Sequence, residues 1–191
     1  QRSSEHVLAD TLGEEMAALL FTSGSTGIPK GVVYRHRHFT AQVDMLRSAF
    51  DIRPGEVDLP TFPPFALFDP AMGMTTVVPY MDPTRPANAD PELLVQTIRR
   101  FSVTNIFGSP ALLNVLGRYI EPNNLELPSV RRVISAGAAM PLATIRRLQK
   151  TLPPEAEVHT PYGATECLPV TSVSGAELNK EVEQRTASGQ G

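Results

Sequence analysis

The alternation of helix-like and strand-like segments constrains the fold of this 191-residue chain more than any other feature. Asp90 followed by Pro91 is typical of a helix start, because an aspartate accepts hydrogen bonds from free backbone N–H groups and proline fits the first helical turn. Strand and helix patterns then alternate over the segments 103–107, 109–119, 130–135 and 141–152. Such alternation predicts an α/β fold, a layered, mostly parallel sheet flanked by helices.

The first half of the chain is predicted in less regular pieces. Apolar residues from Met16 to Phe21 and from Gly31 to Tyr34 flank a polar loop, which predicts a strand, a loop and a second strand. Further expectations are a helix over 39–50, a strand over 56–62, a buried helix or pocket wall over 65–78, and a polar surface loop over 176–191.

The polar loop between the two strands has the composition of a polyphosphate site. Its glycines let the backbone approach a ligand closely, and its hydroxyls and lysine supply donors for phosphate oxygens. The candidate phosphate-binding residues are Thr22, Ser23, Gly24, Ser25, Thr26, Gly27 and Lys30. Pro29 and Gly31 exclude the common P-loop, which needs glycine before the lysine and Ser or Thr after it. We favour a nucleoside triphosphate site over a flexible Ser/Gly linker, because both flanks resemble strands.

Composition and net charge exclude some classes of binding partner. The formal charge is −3, from 20 acidic and 17 basic residues, so neither a nucleic-acid groove nor an anionic membrane surface is predicted. A single cysteine, Cys167, excludes an intramolecular disulfide, and we interpret it as a small packing residue. The polar start and the absence of an apolar run of about 18 residues predict a cytoplasmic protein without a transmembrane segment.

Three motifs resemble those of the adenylate-forming superfamily, which includes acyl-CoA synthetases, luciferases and peptide-synthetase adenylation domains. They occupy residues 22–31, 135–140 and 162–166, in the order that the family uses. The resemblance implies that residues 1–191 are a fragment of the large AMP-binding N-terminal domain. The ribose-binding segment, the hinge and the C-terminal domain with its catalytic lysine are then absent, and the isolated chain is expected to be inactive.

The same resemblance implies roles for particular residues. Glu166 would bind Mg²⁺, Thr165 would hydrogen-bond the α-phosphate of ATP, and Lys30 would help to hold the pyrophosphate, so these three are the candidate catalytic residues. The candidate adenine- or acyl-binding residues are Phe65, Gly137, Ala138, Tyr162 and Gly163. Without the motifs, each would be read more simply, as a solvated charge, an aromatic side chain or a closely packed glycine.

One departure from the family points to a narrower group. Ala66 stands where acyl-CoA ligases typically have a histidine beside the carboxylate that they activate. Together with residues 34–36, 63–70 and 160–163, this change resembles the β-lactone synthetases of bacterial long-chain olefin biosynthesis. The resemblance implies that ATP adenylates a 2-alkyl-3-hydroxy fatty acid, whose hydroxyl then closes a β-lactone and expels AMP. Other enzymes of olefin synthesis would be partners.

Two alternatives stay open at the level of sequence. A fatty-acyl-CoA ligase would use the same ATP site but transfer the acyl group to coenzyme A. A non-catalytic nucleotide-binding fragment would bind ATP without any turnover. The sequence alone leaves all three functions possible.

Overall fold

The computed structural model describes residues 9–22 and 27–188, which form eight strands, six α-helices and two short 3₁₀ helices. The strands are β1 (Met16–Phe21), β2 (Gly31–Arg35), β3 (Val57–Pro60), β4 (Thr75–Thr76), β5 (Asn105–Phe107), β6 (Arg132–Ile134), β7 (Glu157–Ala164) and β8 (Cys167–Ser174). The helices are α1 (His36–Ala49), α2 (Asp69–Met72), α3 (Pro91–Phe101), α4 (Pro110–Ile120), α5 (Leu142–Thr151) and α6 (Gly175–Ala187), with 3₁₀ turns at Pro63–Leu67 and Pro86–Asn88.

The strands form two sheets. β1 and β2 make an antiparallel hairpin, and the other six form one sheet in the order β4-β3-β5-β6-β7-β8. All neighbours in the larger sheet are parallel except β8, which returns antiparallel to β7. The predicted layered and mostly parallel sheet is therefore confirmed.

One face of the large sheet supports the main core. Leu59, Ile106, Val133 and Val158 lie in register on four neighbouring strands and are almost completely buried. Helices α3, α4 and α5 cover this row with their own buried apolar residues. Since side chains alternate between the two faces of a strand, the next row must face the other way.

The opposite face carries a polar row. Asp58, Asn105 and Arg132 lie in register on β3, β5 and β6, and all three side chains are buried. A second apolar cluster forms beside this row, where Phe50 and Met72 pack against Ile134 and bring α1 and α2 onto the same face. This face therefore combines apolar walls with buried hydrogen-bonding groups.

Local capping explains why several helices start where the sequence predicts. Asp90 accepts hydrogen bonds from the backbone N–H groups of Glu92 and Leu93, at 2.9 and 3.3 Å. The Ser109 hydroxyl accepts one from Leu112 N at 3.4 Å.

None of the helices in the described ranges is both long enough and apolar enough to cross a lipid bilayer.

The expectation of a buried helix over 65–78 is wrong, although the alternative of a pocket wall is right. The segment breaks into a 3₁₀ turn, the four-residue helix α2 and the two-residue strand β4. Gly73 ends α2 in a left-handed conformation, with φ of 77°, which glycine adopts without strain. Phe65, Phe68 and Met72 nevertheless line a cavity of about 940 Å³.

Two expectations about the C-terminal part also need correction. Residues 176–187 lie in α6 instead of a loop, because Ser174 and Glu177 form a reciprocal capping box that starts a helix. Cys167 is exposed, so it is not a buried packing residue. The candidate residue Tyr162 lies inside β7.

Candidate active site

The β1–β2 hairpin holds both ends of the candidate phosphate loop. Thr22 N donates to Lys30 O at 3.0 Å, and Lys30 N donates to the Thr22 hydroxyl at 3.3 Å. These bonds close the loop at its base. Gly27 and Lys30 are exposed, whereas Ser23, Gly24, Ser25 and Thr26 lie outside the described residues.

The second candidate loop is the tight turn between β7 and β8. Thr165 and Glu166 form this turn, and Ala164 pairs with Cys167 across it. The Glu166 side chain is exposed, and Tyr162 is 68% exposed on the strand before it. Both side chains are therefore accessible to a ligand above this edge of the sheet.

Two hydrogen bonds tie the first hairpin and its following helix to the second turn. The Tyr34 hydroxyl donates to Thr165 O at 2.5 Å, although 131 residues separate the two in sequence. Gln42 Nε2 on α1 donates to Leu168 O at 3.1 Å. Lys30 lies four residues before Tyr34, so at most about 13 Å of extended chain separates the backbones of these two residues. The two motifs thus belong to one region of the molecule.

Gly137 and Ala138 of the third motif are exposed in the connection after β6. β6 neighbours β7, and Ser135 N donates to His159 O at 2.9 Å, which places this connection beside the strand that leads to Tyr162. Gly137 has φ of 91°, a conformation that side-chain-bearing residues rarely adopt. The turn itself therefore requires glycine here.

Gly163 has a packing role that the resemblance did not indicate. A Cβ atom at this position would lie 2.5 Å from Leu168 Cδ2 and 2.9 Å from the Cys167 carbonyl oxygen. The close pairing of β7 with β8 therefore excludes any side chain at this point, whether or not the backbone also contacts a ligand.

An aromatic cavity of about 940 Å³ lies between the polar face of the sheet, α1 and α2. Phe65 stacks on Phe107 with ring centroids 4.0 Å apart, and Phe39 packs against Phe68 at 5.9 Å. The cavity also reaches Pro161 and Leu168, on either side of the Thr165 turn in sequence. An apolar ligand of substantial length fits such a lining.

Two buried carboxyl groups, Asp58 and Asp69, line the same cavity. Burial, together with the neighbouring Asp69 charge, raises the pKa of Asp58 to about 8. Burial likewise raises the pKa of Asp69, whose Oδ2 accepts a hydrogen bond from the Thr76 hydroxyl at 2.6 Å. Asn105 Nδ2 donates to Asp58 Oδ1. Near neutral pH, Asp58 therefore carries a proton for most of the time.

A buried ion pair extends this polar row across the sheet. Arg132 Nη1 lies 2.8 Å from Glu56 Oε2, and both side chains are less than 10% exposed. Arg132 also donates to Asn105 Oδ1 at 3.4 Å and to Asp51 O at 3.1 Å. These bonds compensate the charge that the arginine brings into the interior.

Glu166 is the candidate carboxylate for a magnesium ion bound with a nucleotide. Magnesium in such sites is held by one or two carboxylates together with phosphate oxygens, and it keeps several waters. Glu166 offers one exposed carboxylate at the turn. Within residues 9–22 and 27–188, no group of three or more His, Cys, Asp or Glu side chains could hold a metal, so phosphate oxygens would have to complete the coordination.

Sequence reasoning overlooked the polar residues of the cavity. Gln42 lies on the inward face of α1 with Phe39, Val43 and Leu46, and a polar residue on an apolar stripe was the available signal. Asp58 similarly interrupts a short buried strand. The roles predicted for Lys30, Thr165 and Glu166 remain predictions, although their surroundings are now defined.

Comparison with known proteins identifies the family. The profile of the AMP-binding enzyme family matches residues 3–191. The chain belongs to the AMP-binding enzyme family. Proteins named olefin β-lactone synthetase from Xanthomonas campestris pv. campestris and Stenotrophomonas maltophilia are 59% identical over 172 residues and 60% identical over 174 residues. These alignments cover 90 and 91% of this chain but only 30 and 31% of the relatives. The resemblance predicted from the motifs is confirmed.

A solved structure confirms the fold of this AMP-binding chain. The inhibitor-bound N-terminal domain of FACL13 from Mycobacterium tuberculosis superposes with a TM-score of 0.75 at 25% identity. The match covers 92% of this chain and 44% of that structure. The layered sheet and its helices are therefore those of an adenylate-forming N-terminal domain.

Proposed function

We propose that the protein containing this chain uses ATP to adenylate a long-chain 2-alkyl-3-hydroxy fatty acid and then closes it to a β-lactone, with release of pyrophosphate and AMP. The observation that carries this proposal is the identity of 59 and 60% to two proteins named olefin β-lactone synthetase. These two proteins share far more of their sequence with this chain than do the proteins named gramicidin S synthase 2 and tyrocidine synthase 3, which are each 28% identical to it.

The geometry supports this proposal at the acyl side. The cavity has an aromatic lining suited to an alkyl chain, and Phe65 stacks within it. Ala66, next to Phe65 in the sequence, is half-buried and has no hydrogen-bonding side chain, although it does not itself line the cavity. An apolar lining such as that of Phe65 and Phe68 keeps water away from an acyl adenylate, which suits a reaction whose nucleophile is part of the substrate.

The first step forms a bond between a carboxylate oxygen of the acid and the α-phosphorus of ATP, while the bond from that phosphorus to pyrophosphate breaks. Lys30 and the loop that begins at Thr22 would hold the leaving pyrophosphate, and Thr165 would donate a hydrogen bond to the α-phosphate. Tyr162, exposed on β7, would pack against adenine. Bound Mg²⁺ would neutralise phosphate charge, and Glu166 is the residue that would hold it.

The second step forms a bond between the 3-hydroxyl oxygen and the acyl carbon, while the bond from that carbon to the phosphate oxygen of AMP breaks and the hydroxyl proton passes to the departing AMP phosphate. Because the nucleophile is tethered to the acyl group, its effective concentration is high and coenzyme A is unnecessary. The protein's task at this step is to keep the alkyl chains folded within the cavity and to exclude water.

The test is incubation of the full-length protein with ATP, magnesium and a 2-alkyl-3-hydroxy fatty acid, with and without coenzyme A. The proposal expects AMP release in both samples and a product lighter than the acid by one water. A strict requirement for coenzyme A, with a thioester product, would establish a fatty-acyl-CoA ligase instead. ATP binding without release of pyrophosphate would indicate a non-catalytic nucleotide-binding protein.

The protein's location and its partners belong to the same proposal. A fatty acid of this class would come from the preceding enzyme of olefin synthesis, and a β-lactone would pass to the next one. We therefore place the protein in the cytoplasm, in contact with other enzymes of that sequence. Co-purification of those enzymes with the tagged full-length protein tests the idea, and fractionation of all the protein into the periplasm would contradict it.

A further inference from the structure

Gln42 lines the cavity, and half of its amide has no hydrogen-bond partner in the described part of the chain. It lies on α1 and is only 9% exposed. Its Nε2 donates to Leu168 O at 3.1 Å, whereas its Oε1 is buried without a hydrogen-bond partner in the described part of the chain. A buried acceptor without a partner is costly, so such an atom is usually satisfied by a ligand or a water.

The cavity around Gln42 is apolar and aromatic. Phe39 lies one helical turn before Gln42, and Phe68 packs against Phe39 from α2. Within such a lining, a neutral amide oxygen accepts a hydrogen bond but repels a carboxylate, which is itself only an acceptor. The group that Gln42 recognises must therefore be a donor on a largely apolar molecule.

The position of Gln42 limits where that donor lies on the ligand. Through Leu168 O, the amide is fixed to β8 two residues after Glu166, the candidate carboxylate for the nucleotide metal. Tyr34, which donates to Thr165 O, lines the cavity beside it. A donor that reaches Gln42 Oε1 must therefore lie near the carboxyl end of the acid, and not along its distal chain.

Resting on the proposed function, we infer that Gln42 Oε1 accepts a hydrogen bond from the 3-hydroxyl of the substrate and thereby selects a 3-hydroxy acid over an acid without that hydroxyl. Gln42 is then a specificity-determining residue. Its amide N–H group anchors it to the hairpin that carries Glu166, and its carbonyl group is left to accept a hydrogen bond from the substrate.

ATP–pyrophosphate exchange by the full-length protein tests this inference, because exchange reports adenylation whether or not a lactone can form. The substrates are a 2-alkyl-3-hydroxy acid and the matching acid with fluorine in place of the hydroxyl, which is similar in size but cannot donate. The wild-type kcat/KM should favour the hydroxy acid by roughly tenfold, the effect of losing one hydrogen bond to a buried acceptor.

The substitution Gln42→Leu should abolish most of that preference, so the ratio of the two kcat/KM values should approach one. Gln42→Met provides a second apolar variant with an unbranched side chain. Equal losses on both substrates with an unchanged ratio would overturn the inference and leave Gln42 a role only in holding Leu168. If neither variant folds, the wild-type ratio decides, and a ratio near one overturns the inference. Absence of exchange with every acid would instead contradict the proposed function.

Discussion

The buried Asp58 should make the stability of this domain depend on pH in an unusual direction. Burial first, and then the charge of Asp69, raises its pKa from 3.8 to about 8, while the hydrogen bond from Asn105 and the charge of Arg132 oppose the rise. The folded state therefore holds a proton that the unfolded state releases near pH 4. The contribution of Asp58 to the unfolding free energy is therefore largest below about pH 4, falls as the pH rises from about 4 to about 8, and changes no further above that.

The magnitude follows from the two pKa values. Each pH unit between them costs about 1.4 kcal/mol, and the loss between about pH 6 and pH 8 is about 2 kcal/mol after allowing for partial ionisation near the folded pKa. The substitution Asp58→Asn removes this titration and retains an amide that can donate as the neutral carboxyl does. Between about pH 6 and pH 8, the unfolding free energy of the variant should therefore fall by about 2 kcal/mol less than that of the wild type.

Urea unfolding of the full-length protein, followed by far-UV circular dichroism at several pH values, measures the difference. Comparing the two proteins cancels groups common to both, including His159, whose pKa is lowered by burial. Asp44→Asn, at an exposed position on α1, is the matched control and should leave the pH dependence unchanged. If the unfolding free energies of the wild type and Asp58→Asn changed with pH in parallel, the reasoning that Asp58 is neutral in the folded protein would be refuted.

Three further substitutions test the packing. Gly163→Ala forces a Cβ into Leu168 and should cost about 1 to 3 kcal/mol in urea unfolding, whereas an unchanged midpoint would mean that β8 moves freely. Ser174→Ala removes the side-chain cap of α6 and should destabilise this helix by about 1 kcal/mol. Amide hydrogen exchange over residues 175–187 should then be faster, and unaltered exchange would contradict the capping role of Ser174. Ile98→Ala, at a fully buried site, should cost about 2 to 5 kcal/mol, and a change no larger than that for the exposed Val182→Ala would contradict the core assignment.

The parts of the fold that were predictable are those with local signals. Asp90 caps α3 through its own side chain, and the apolar spacing that follows is set by the same helix. The capping box of Ser174 and Glu177 was an equally local signal for α6, but the polar composition of the segment favoured a loop. Local chemistry therefore determined this helix more strongly than composition did.

The segment around Phe65 could not be predicted in detail, because tertiary contacts determine its shape. Phe65 stacks on Phe107 and Phe68 meets Phe39, so residues distant in sequence bury an apolar run that has no regular period. The pocket wall was foreseeable from the apolar content, whereas the break between a 3₁₀ turn and α2 was not.

The motifs identified the candidate site, but they did not indicate how its parts are held together. The contact from Tyr34 to Thr165 and that from Gln42 to Leu168 each span more than 120 residues. The polar row of Asp58, Asn105 and Arg132 depends on strand register, which no local pattern specifies. These features arise only when β3, β5 and β6 pair side by side.

Isotope transfer during turnover by the full-length protein tests the central claim most directly. The acid is prepared with a heavy oxygen isotope in its carboxylate only, and the AMP and the lactone are analysed by mass spectrometry. Adenylation followed by internal attack predicts one labelled oxygen in the phosphate of AMP and one in the lactone carbonyl. Unlabelled AMP, or label in the departing pyrophosphate, would contradict the account.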